Sequence, residues 1–205
     1  MKGLTSTILL ICFGLTNTIF AQSKFSKLSC PEKVWVFAHP FVAKKAFHIT
    51  QDVQKIVDSI KQVKIIGIDN NGGKLDAFKH AYWMAFLSSE IGKRKARKLG
   101  IAHERGNFLQ YKKQELEDSI LPDSVSSEMD KKNNEVGISL LDNCKKTPPP
   151  IIQNEVLTAL KEGKLYIIKK DEEGNFLRND GKKILMNEWV GKWGIPKYLV
   201  PSNEQ

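Results

Sequence analysis

The feature that most constrains the fold of this chain is a run, from Pro40 to Ile60, in which apolar residues recur at three- and four-residue steps. That spacing places the apolar side chains on one face of an α-helix and does not fit the alternation of a strand. Pro40 suits the first helical position, where a backbone N–H is not needed. The apolar positions are Phe41, Val42, Ala46, Ile49, Val53, Ile56, Val57 and Ile60. The run predicts a long amphipathic helix that buries one face against other elements.

Further helices are predicted after this one, separated by turn and proline signals. Residues 23–32 form a polar lead-in, and 69–73 a tight turn. Asp76 is the predicted N-cap of a strong helix that reaches Ile91. The remaining helices are predicted over 93–107, from an N-cap at Ser126 or Ser127 through Leu141, and over 151–162, with a proline break at 147–150.

The C-terminal part of the chain contains the best strand pattern. A strand is predicted over 164–170, followed by a turn at 173–175 and a short return strand near Phe176 and Leu177. The last helical turns are expected over 186–193. The predicted fold class is mainly α, a single helical domain with a small C-terminal β-hairpin.

Residues 1–21 have the pattern of a secretory signal peptide. Lys2 gives the positive start, 8–14 form the apolar stretch, and Ala21 is the small residue before the cleavage point. The alternative is a short membrane anchor, but polar residues at 16–18 leave the apolar run far below the ~20 residues that span a bilayer. We therefore expect an exported protein, periplasmic or secreted, with a mature domain over 22–205 and no transmembrane segment after cleavage.

Cleavage would leave two of the three cysteines, Cys30 and Cys144. In an oxidising compartment they could form a disulfide that closes a long loop, and the alternative is a pair of buried free thiols. A lipoprotein role for Cys30 is disfavoured because Cys30 lies far from the apolar run. Both the disulfide and the free thiols stay open at this point.

Positive charge dominates the chain, with 32 Lys plus Arg against 23 Asp plus Glu and a formal net charge of +9. A composition of 41% apolar and 27% charged residues excludes collagen, a disordered tail and a polytopic membrane protein. Five cations fall within 93–98 and form either a solvated helix face or a surface for phosphates or anionic lipids. The possible partners are an envelope component or an anionic surface, and no nucleic acid is expected because basic recognition elements are lacking.

Three short polar segments carry the candidate chemistry, and the first covers 76–83. On a helix, Asp76, His80 and Trp83 lie on one stripe that continues through Leu87 to Ile91. His80 therefore lies on an apolar side and needs a hydrogen-bond partner, for which Asp76 is suitably placed. The alternative is a core histidine with a purely structural role.

The second segment is 102–104 and the third is 129–137. His103 and Glu104 are neighbours and point about 100° apart on a helix, so we do not expect both to face one pocket. In the third segment Asp130, one of Asn133 and Asn134, and Gly137 share a face. Two amides beside a carboxylate are poor helix formers, which indicates a polar network with a functional or structural role.

Packed together, the three segments could bring His80, His103 or Glu104, and Asp130 into one interior cluster. Such a set could hold zinc or another divalent metal, or it could supply an acid–base pair. The alternative is a buried network that only fixes the register of the helices. No His-Glu-x-x-His, Cys-x-x-Cys, EF-hand, Gly-x-Ser-x-Gly or phosphate-binding glycine loop is present in the sequence.

The three segments together resemble an uncharacterised bacterial domain family of unknown function, with exported members in Bacteroidetes-type bacteria. The matching motifs here are Asp-Ala-Phe-Lys-His-Ala-Tyr-Trp (76–83), Ala-His-Glu (102–104) and Met-Asp-x-x-Asn-Asn-x-x-Gly (129–137). Segments 39–46 and 163–167 are also similar, and the resemblance spans about 33–170. Lys79 stands where the family pattern has arginine, and Ile101 where an acid often precedes Ala-His-Glu. The resemblance implies where the site lies and implies no reaction.

The sequence thus leads to two hypotheses. In the first, the protein is a hydrolase acting on an envelope component; in the second, it is a non-catalytic envelope binding or structural module whose motif residues brace the helices. The predicted catalytic residues are His80, His103, Glu104 and Asp130, and the predicted substrate-binding residues are Asp76, Trp83, Asn133 and Asn134. His80 is the expected general base or metal ligand, and a divalent metal is the expected cofactor if one is bound.

Overall fold

The computed structural model describes residues 25–69, 71–114, 121–141 and 146–204. Within these ranges the chain forms seven helices and two short strands. The helices are α1 (Cys30–Ala38), α2 (Pro40–Val63), α3 (Lys74–Ile91), α4 (Lys93–Lys113), α5 (Ser124–Ser139), α6 (Pro149–Lys161) and α7 (Met186–Trp189). The strands are β1 (Tyr166–Ile168) and β2 (Leu199–Pro201). The prediction of a mainly α fold is confirmed.

α3 is the central helix and is buried on all sides. It packs against α2, α4, α5 and α6. Its fully buried apolar residues are Leu75, Ala77, Phe78, Ala81, Tyr82, Met84, Ala85 and Leu87. A helix that is apolar all round belongs in a core, so the polar residues of α3 are carried into the interior of the protein.

α2 has the predicted amphipathic character. The residues that it buries are Ala46, Ile49, Val53, Val57 and Ile60, all on one face. The helix begins at Pro40, as predicted, and ends before Lys64, which has a left-handed conformation with φ of 54°. The apolar face of α2 covers one side of α3.

The start of α3 differs from the prediction. The N-cap is Gly73, and Asp76 lies inside the first turn of the helix. The Asp76 side chain still serves the end of the helix, because its Oδ2 accepts a hydrogen bond of 2.9 Å from the Gly72 N–H. A carboxylate is favourable in the first turn, where the helix dipole is positive.

The start of α5 also differs, because its N-cap is Asp123 and neither Ser126 nor Ser127. Asp123 Oδ1 accepts hydrogen bonds of 2.9 Å from the N–H groups of Val125 and Ser126. Asp and Ser cap helices about equally well. The helix therefore starts at Asp123, three residues before the first predicted N-cap.

Two helices are longer than their patterns predict. α4 continues past Asn107 to Lys113, and its Gly100 is tolerated because it packs against the side chains of Met84 and Asn134. α1 begins within the expected polar lead-in. Its N-cap Ser29 forms a capping box with Glu32, a local arrangement that satisfies two backbone N–H groups.

α3 and α5 approach each other closely at Gly137. A Cβ atom on Gly137 would lie 2.8 Å from the carbonyl carbon and 2.9 Å from the Cα of Ala81, and closer still to the Ala81 oxygen. Only glycine can occupy such a position against another backbone. The close approach brings the third polar segment directly onto the first.

The strands form a two-stranded antiparallel sheet near the C-terminus, in which Tyr166 pairs with Pro201 and Ile168 with Leu199. The expected return strand near Phe176 and Leu177 forms only isolated bridges, with Lys170 and Lys183. The partner of β1 is instead a segment about thirty residues further along the chain.

Several predictions fall outside the described residues. These include the signal peptide over 1–21 and any bond of Cys144, so the disulfide stays a prediction; Cys30 is exposed at the start of α1. Among the residues that the structure describes, no helix combines the length and the apolar composition needed to cross a membrane.

Trp189 packs on Phe176, and Trp193 on Phe108 and Tyr111, with ring centroids 4.8–5.1 Å apart.

Candidate functional site

Three polar side chains from two helices converge in the interior. Asp76 and His80 lie one turn apart on α3, and Asp130 is supplied by α5. His80 Nε2 lies 3.5 Å from Asp76 Oδ1 and 3.3 Å from Asp130 Oδ1. All three residues are buried, and one potential ligand atom of each lies within 4.8 Å of the other two. We call this group the Asp–His–Asp cluster. Its geometry shows that His80 and Asp130 lie close together, as the sequence suggested.

The distances within the cluster fit ligands around a small cation better than they fit hydrogen bonds. An N–H···O hydrogen bond is usually about 2.7–3.2 Å long, and both distances from His80 Nε2 exceed that range. Ligands at about 2.0–2.1 Å from a tetrahedral zinc ion lie about 3.3–3.4 Å from each other. Two carboxylates and one imidazole are also a ligand set that divalent metals accept.

The charge state of His80 suits ligation. Burial lowers the pKa of His80 well below its usual value of 6.5, and the charges of Lys79 and His103 lower it further, against a smaller opposing effect of the Asn134 side chain. The imidazole is therefore neutral at neutral pH, the form that binds a metal. Lys79 Nζ, 3.7 Å from Asp76 Oδ1, is a cation that partly offsets the negative charge of the two carboxylates.

Outer contacts hold these residues in place. The buried side chain of Asn134, on α5, lies near the His80 ring and opposes part of the lowering of its pKa. Gly72 donates to Asp76 and its carbonyl accepts from Ile168 N–H at 2.8 Å. Gly72 has φ of +76°, and a Cβ atom there would lie 2.7 Å from Ile168 Cδ1. The glycine thus connects β1 with the Asp–His–Asp cluster.

A second histidine, His103 on α4, is paired with Glu32 of α1. His103 Nδ1 lies 3.1 Å from Glu32 Oε1. Burial raises the pKa of Glu32, but the hydrogen bond and charge of His103 and the hydrogen bonds of Ser29 outweigh it and lower that pKa to about 2. The His103 ring lies 6.3 Å from the His80 ring, centroid to centroid. Glu32 therefore stays ionised and orients an imidazole next to the cluster.

Both histidines line one cavity of about 260 Å³. Its other charged lining residues are Glu32 and Lys79, whereas Asp76 and Asp130 do not line it. The apolar lining residues come from α1 to α4 and the segment before α1, and they are Leu28, Trp35, Ala43, Ala46, Phe47, Val53, Trp83 and Leu99. The cavity is thus apolar over most of its wall and polar at one end, as ligand pockets commonly are.

Glu104 points away from this cavity. Its buried carboxylate accepts a 3.0 Å hydrogen bond from the Ser127 hydroxyl of α5, whereas His103 faces Glu32. The expectation that these two neighbours diverge agrees with this geometry. Glu104 therefore connects α4 with α5.

Asn133 and Trp83 also make specific contacts. The Asn133 amide donates to the Tyr166 carbonyl at 2.9 Å and accepts from the Tyr166 N–H at 2.8 Å, so both of its polar atoms bind the backbone of β1. Trp83 Nε1 donates to Thr50 Oγ1 at 2.9 Å, and its ring lies against His103. Asn133 is placed to hold β1 on α5, and Trp83 forms part of the cavity wall.

Sequence reasoning missed Glu32, which was assigned to the polar lead-in. It lies 71 residues from His103, and no local pattern connects the two. The available signal was the Ser-x-x-Glu spacing of 29–32, a capping box that predicts a helix start. That signal would have placed a helix there, although not beside His103.

Comparison with known proteins identifies the family. Residues 33–164, which are more than half of the chain, match the family described as "Domain of unknown function (DUF6973)". The chain belongs to this family. No curated protein and no solved structure matches the chain significantly. The match covers all three polar segments and all three residues of the Asp–His–Asp cluster.

Proposed function

We propose that this member of the DUF6973 family is a metal-dependent hydrolase of the cell envelope, with the Asp–His–Asp cluster as its metal site. The observation that carries the proposal is the convergence of Asp76, His80 and Asp130. His80 Nε2 lies 3.5 and 3.3 Å from one oxygen of each carboxylate, and one candidate ligand atom of each residue lies within 4.8 Å of the other two. Three protein ligands are typical of catalytic metal sites, where water or substrate completes the coordination.

The residues would divide the chemistry between them. A divalent cation held by the cluster would supply a water of lowered pKa as the nucleophile. His103, oriented through Nδ1 by the ionised Glu32, would exchange a proton with the substrate at its other ring nitrogen. Lys79, in the cavity wall, would attract an anionic group of the substrate.

The cavity and the predicted export support an envelope substrate. The mostly apolar wall suits a substrate with a short apolar part, and the charged end suits an adjacent ester, amide or phosphate group. The signal peptide predicted over 1–21 would deliver the protein to the periplasm or the outside of the cell. The proposed substrate class is therefore an amphiphilic envelope component.

Metal binding tests the proposal directly. The untagged chain is analysed for metals and then titrated with Zn²⁺ and Mn²⁺ by calorimetry. One cation should bind per chain, and at about a hundredfold excess over Kd it should raise Tm by about 5–10 °C. Asp130→Asn and His80→Gln should abolish both effects, and Asp52→Asn, which changes an exposed carboxylate of α2, should retain them. Failure of the wild-type chain to bind either cation refutes the metal site.

A structural brace is the second candidate function, and specific contacts favour it. Asn133 binds the backbone of β1, and Glu104 binds Ser127 between α4 and α5. The two candidates predict opposite stabilities for metal-free Asp130→Asn. Loss of one of two adjacent buried carboxylates should leave Tm unchanged or higher if the cluster serves a metal. A fall of several degrees, together with no response to metal, would establish the brace.

A further inference from the structure

The corner between α1 and α2 exposes apolar side chains to solvent. Phe37 near the end of α1 is 74% exposed, and Phe41 at the start of α2 is 99% exposed. They flank His39 and Pro40, where the chain turns from one helix into the other. Val34, one turn before Phe37, is 63% exposed. Phe37 packs edge-on against Phe25, with ring centroids 5.6 Å apart, and Phe41 borders a surface cavity with Lys44 and Lys45.

The basic run of α4 lies beside this corner. Lys93, Arg94, Lys95 and Lys98 line one surface cavity together with His39. Trp35 of α1 fixes the arrangement, because its Nε1 donates a 3.1 Å hydrogen bond to the Lys95 carbonyl and its ring stacks on His39 at 4.8 Å. The N-terminus of α4 and the α1–α2 corner thus form one continuous surface.

Most of the positive charge on this surface is not neutralised by the protein. Arg97 forms a bidentate ion pair with Glu135, and Glu90 pairs with Lys45 of α2. Within the described ranges, no ion pair involves the four cations that border His39. The corner combines surplus positive charge with projecting phenyl rings.

We propose that this corner, formed by Phe37, Phe41 and the four cations, docks the protein onto an anionic lipid surface. The cations would meet lipid phosphates, each worth about 1 kcal/mol or about a fivefold gain in binding. The phenyl rings would enter the headgroup region, where apolar groups beside basic residues bind at the membrane interface. The inference is independent of the proposed hydrolase function, since none of these residues belongs to the Asp–His–Asp cluster.

Vesicle binding tests the proposal. The full chain is sedimented with vesicles of phosphatidylcholine alone and of phosphatidylcholine mixed with phosphatidylglycerol. Binding should require the anionic lipid and weaken with salt. Arg94→Gln combined with Lys98→Gln should weaken it about 25-fold, and Phe41→Gln about tenfold. All variants keep the same N-terminal apolar stretch, so any contribution of that stretch to vesicle binding is the same in each.

Matched controls lie at the far ends of the same helices. Lys112→Gln combined with Lys113→Gln makes the same charge change at the end of α4, and Val63→Gln removes a side chain that is 65% exposed at the end of α2. Both should bind like the wild type. Equal weakening by the controls would show charge attraction without a docking surface. Two outcomes would overturn the lipid assignment. One is loss of vesicle binding when inorganic phosphate is added at constant ionic strength. The other is a dimer of the wild-type chain that dissociates on Phe41→Gln.

Discussion

Gly137 determines how closely α3 and α5 approach. An added methyl group would meet the backbone of Ala81, which cannot rotate away as a side chain can. We expect Gly137→Ala to force the helices apart and to lower the free energy of unfolding by about 3 kcal/mol, at the upper end of overpacking effects. Urea unfolding measures this change.

A second Gly→Ala substitution provides the control. Gly194 has an ordinary φ and no atom within 4 Å of the position of an added Cβ, so Gly194→Ala should change the stability by less than about 0.5 kcal/mol. Equal effects of the two substitutions would contradict the close approach. The sequence placed Gly137 on one face with Asp130, and the structure shows that this face lies against the α3 backbone.

His80 shows how far single residues could be predicted. Its spacing from Asp76 gave the one-turn contact, because helical geometry relates them directly. The contact with Asp130 was predicted from the shared polar character of two segments and is confirmed at 3.3 Å. Asn133 was expected to bind substrate, yet it binds Tyr166. A polar residue in a motif does not show whether its partner is a ligand or the backbone.

The N-cap of α5 is tied to the C-terminal segment by a buried ion pair. Lys197 Nζ lies 2.9 Å from Asp123 Oδ2, and both side chains are almost fully buried. Lys197 also lies over the rings of Phe176 and Trp189, at 3.6 and 4.4 Å from their centroids. Burial lowers the pKa of Lys197, and the charge of Asp123 only partly offsets this. Each charge therefore depends on its partner.

The two halves of this pair should respond unequally to substitution. Asp123→Asn removes the only negative charge that the structure pairs with the buried Lys197 cation within the described residues, and it should lower the free energy of unfolding by about 3–5 kcal/mol. Lys197→Met leaves a carboxylate that still accepts hydrogen bonds from Val125 and Ser126, so it should cost less. Chemical denaturation of both variants and of the double variant gives the coupling energy.

The double variant decides whether the pair is coupled. It should be more stable than Asp123→Asn alone, because no unpaired charge remains buried. Simple addition of the two single effects would contradict the coupling.

Elements with local signals were predicted well, and those that depend on distant partners were not. α2 follows from its periodicity, because one solvated face and one buried face leave a clear pattern. β2 was missed, because its partner β1 lies about thirty residues earlier and 199–201 have no turn signal of their own. The hairpin expected at Phe176 had local turn signals, but pairing there stops at isolated bridges.

The attachment of α1 to the rest of the molecule should depend on pH. The pKa of Glu32 is about 2 in the folded protein against 4.5 as the usual value. A lowered carboxylate pKa adds stability above the unfolded value, and this contribution is lost as the pH falls from about 4.5 towards 2. The shift corresponds to about 3 kcal/mol at neutral pH.

Urea unfolding at pH 7 and at pH 3 checks this expectation. The wild type should lose more stability between the two pH values than Glu32→Gln, which has no carboxylate to protonate at that position. Glu128→Gln, which changes an exposed carboxylate of α5, should behave like the wild type. Parallel losses in wild type and Glu32→Gln would show that the pairing with His103 does not stabilise the fold.

The cavity as a whole could not be predicted, although part of its polar end could. His80 and His103 were both expected at one site, and they line the same cavity. Its apolar wall comes mainly from residues of α1 and α2, which carry no chemical motif. Their contribution depends on how the first two helices pack on α3 and α4, which is a property of tertiary structure.

The contacts of Asn133 and Gly72 with β1 have a consequence for solubility. An unpaired strand edge is a template on which another molecule can add a strand and start aggregation. On the side of β1 away from β2, the Tyr166 N–H and carbonyl are taken by a side-chain amide, and the Ile168 N–H is taken by Gly72. Intermolecular growth of the sheet on that side therefore requires both α5 and the Gly72 backbone to release β1 first.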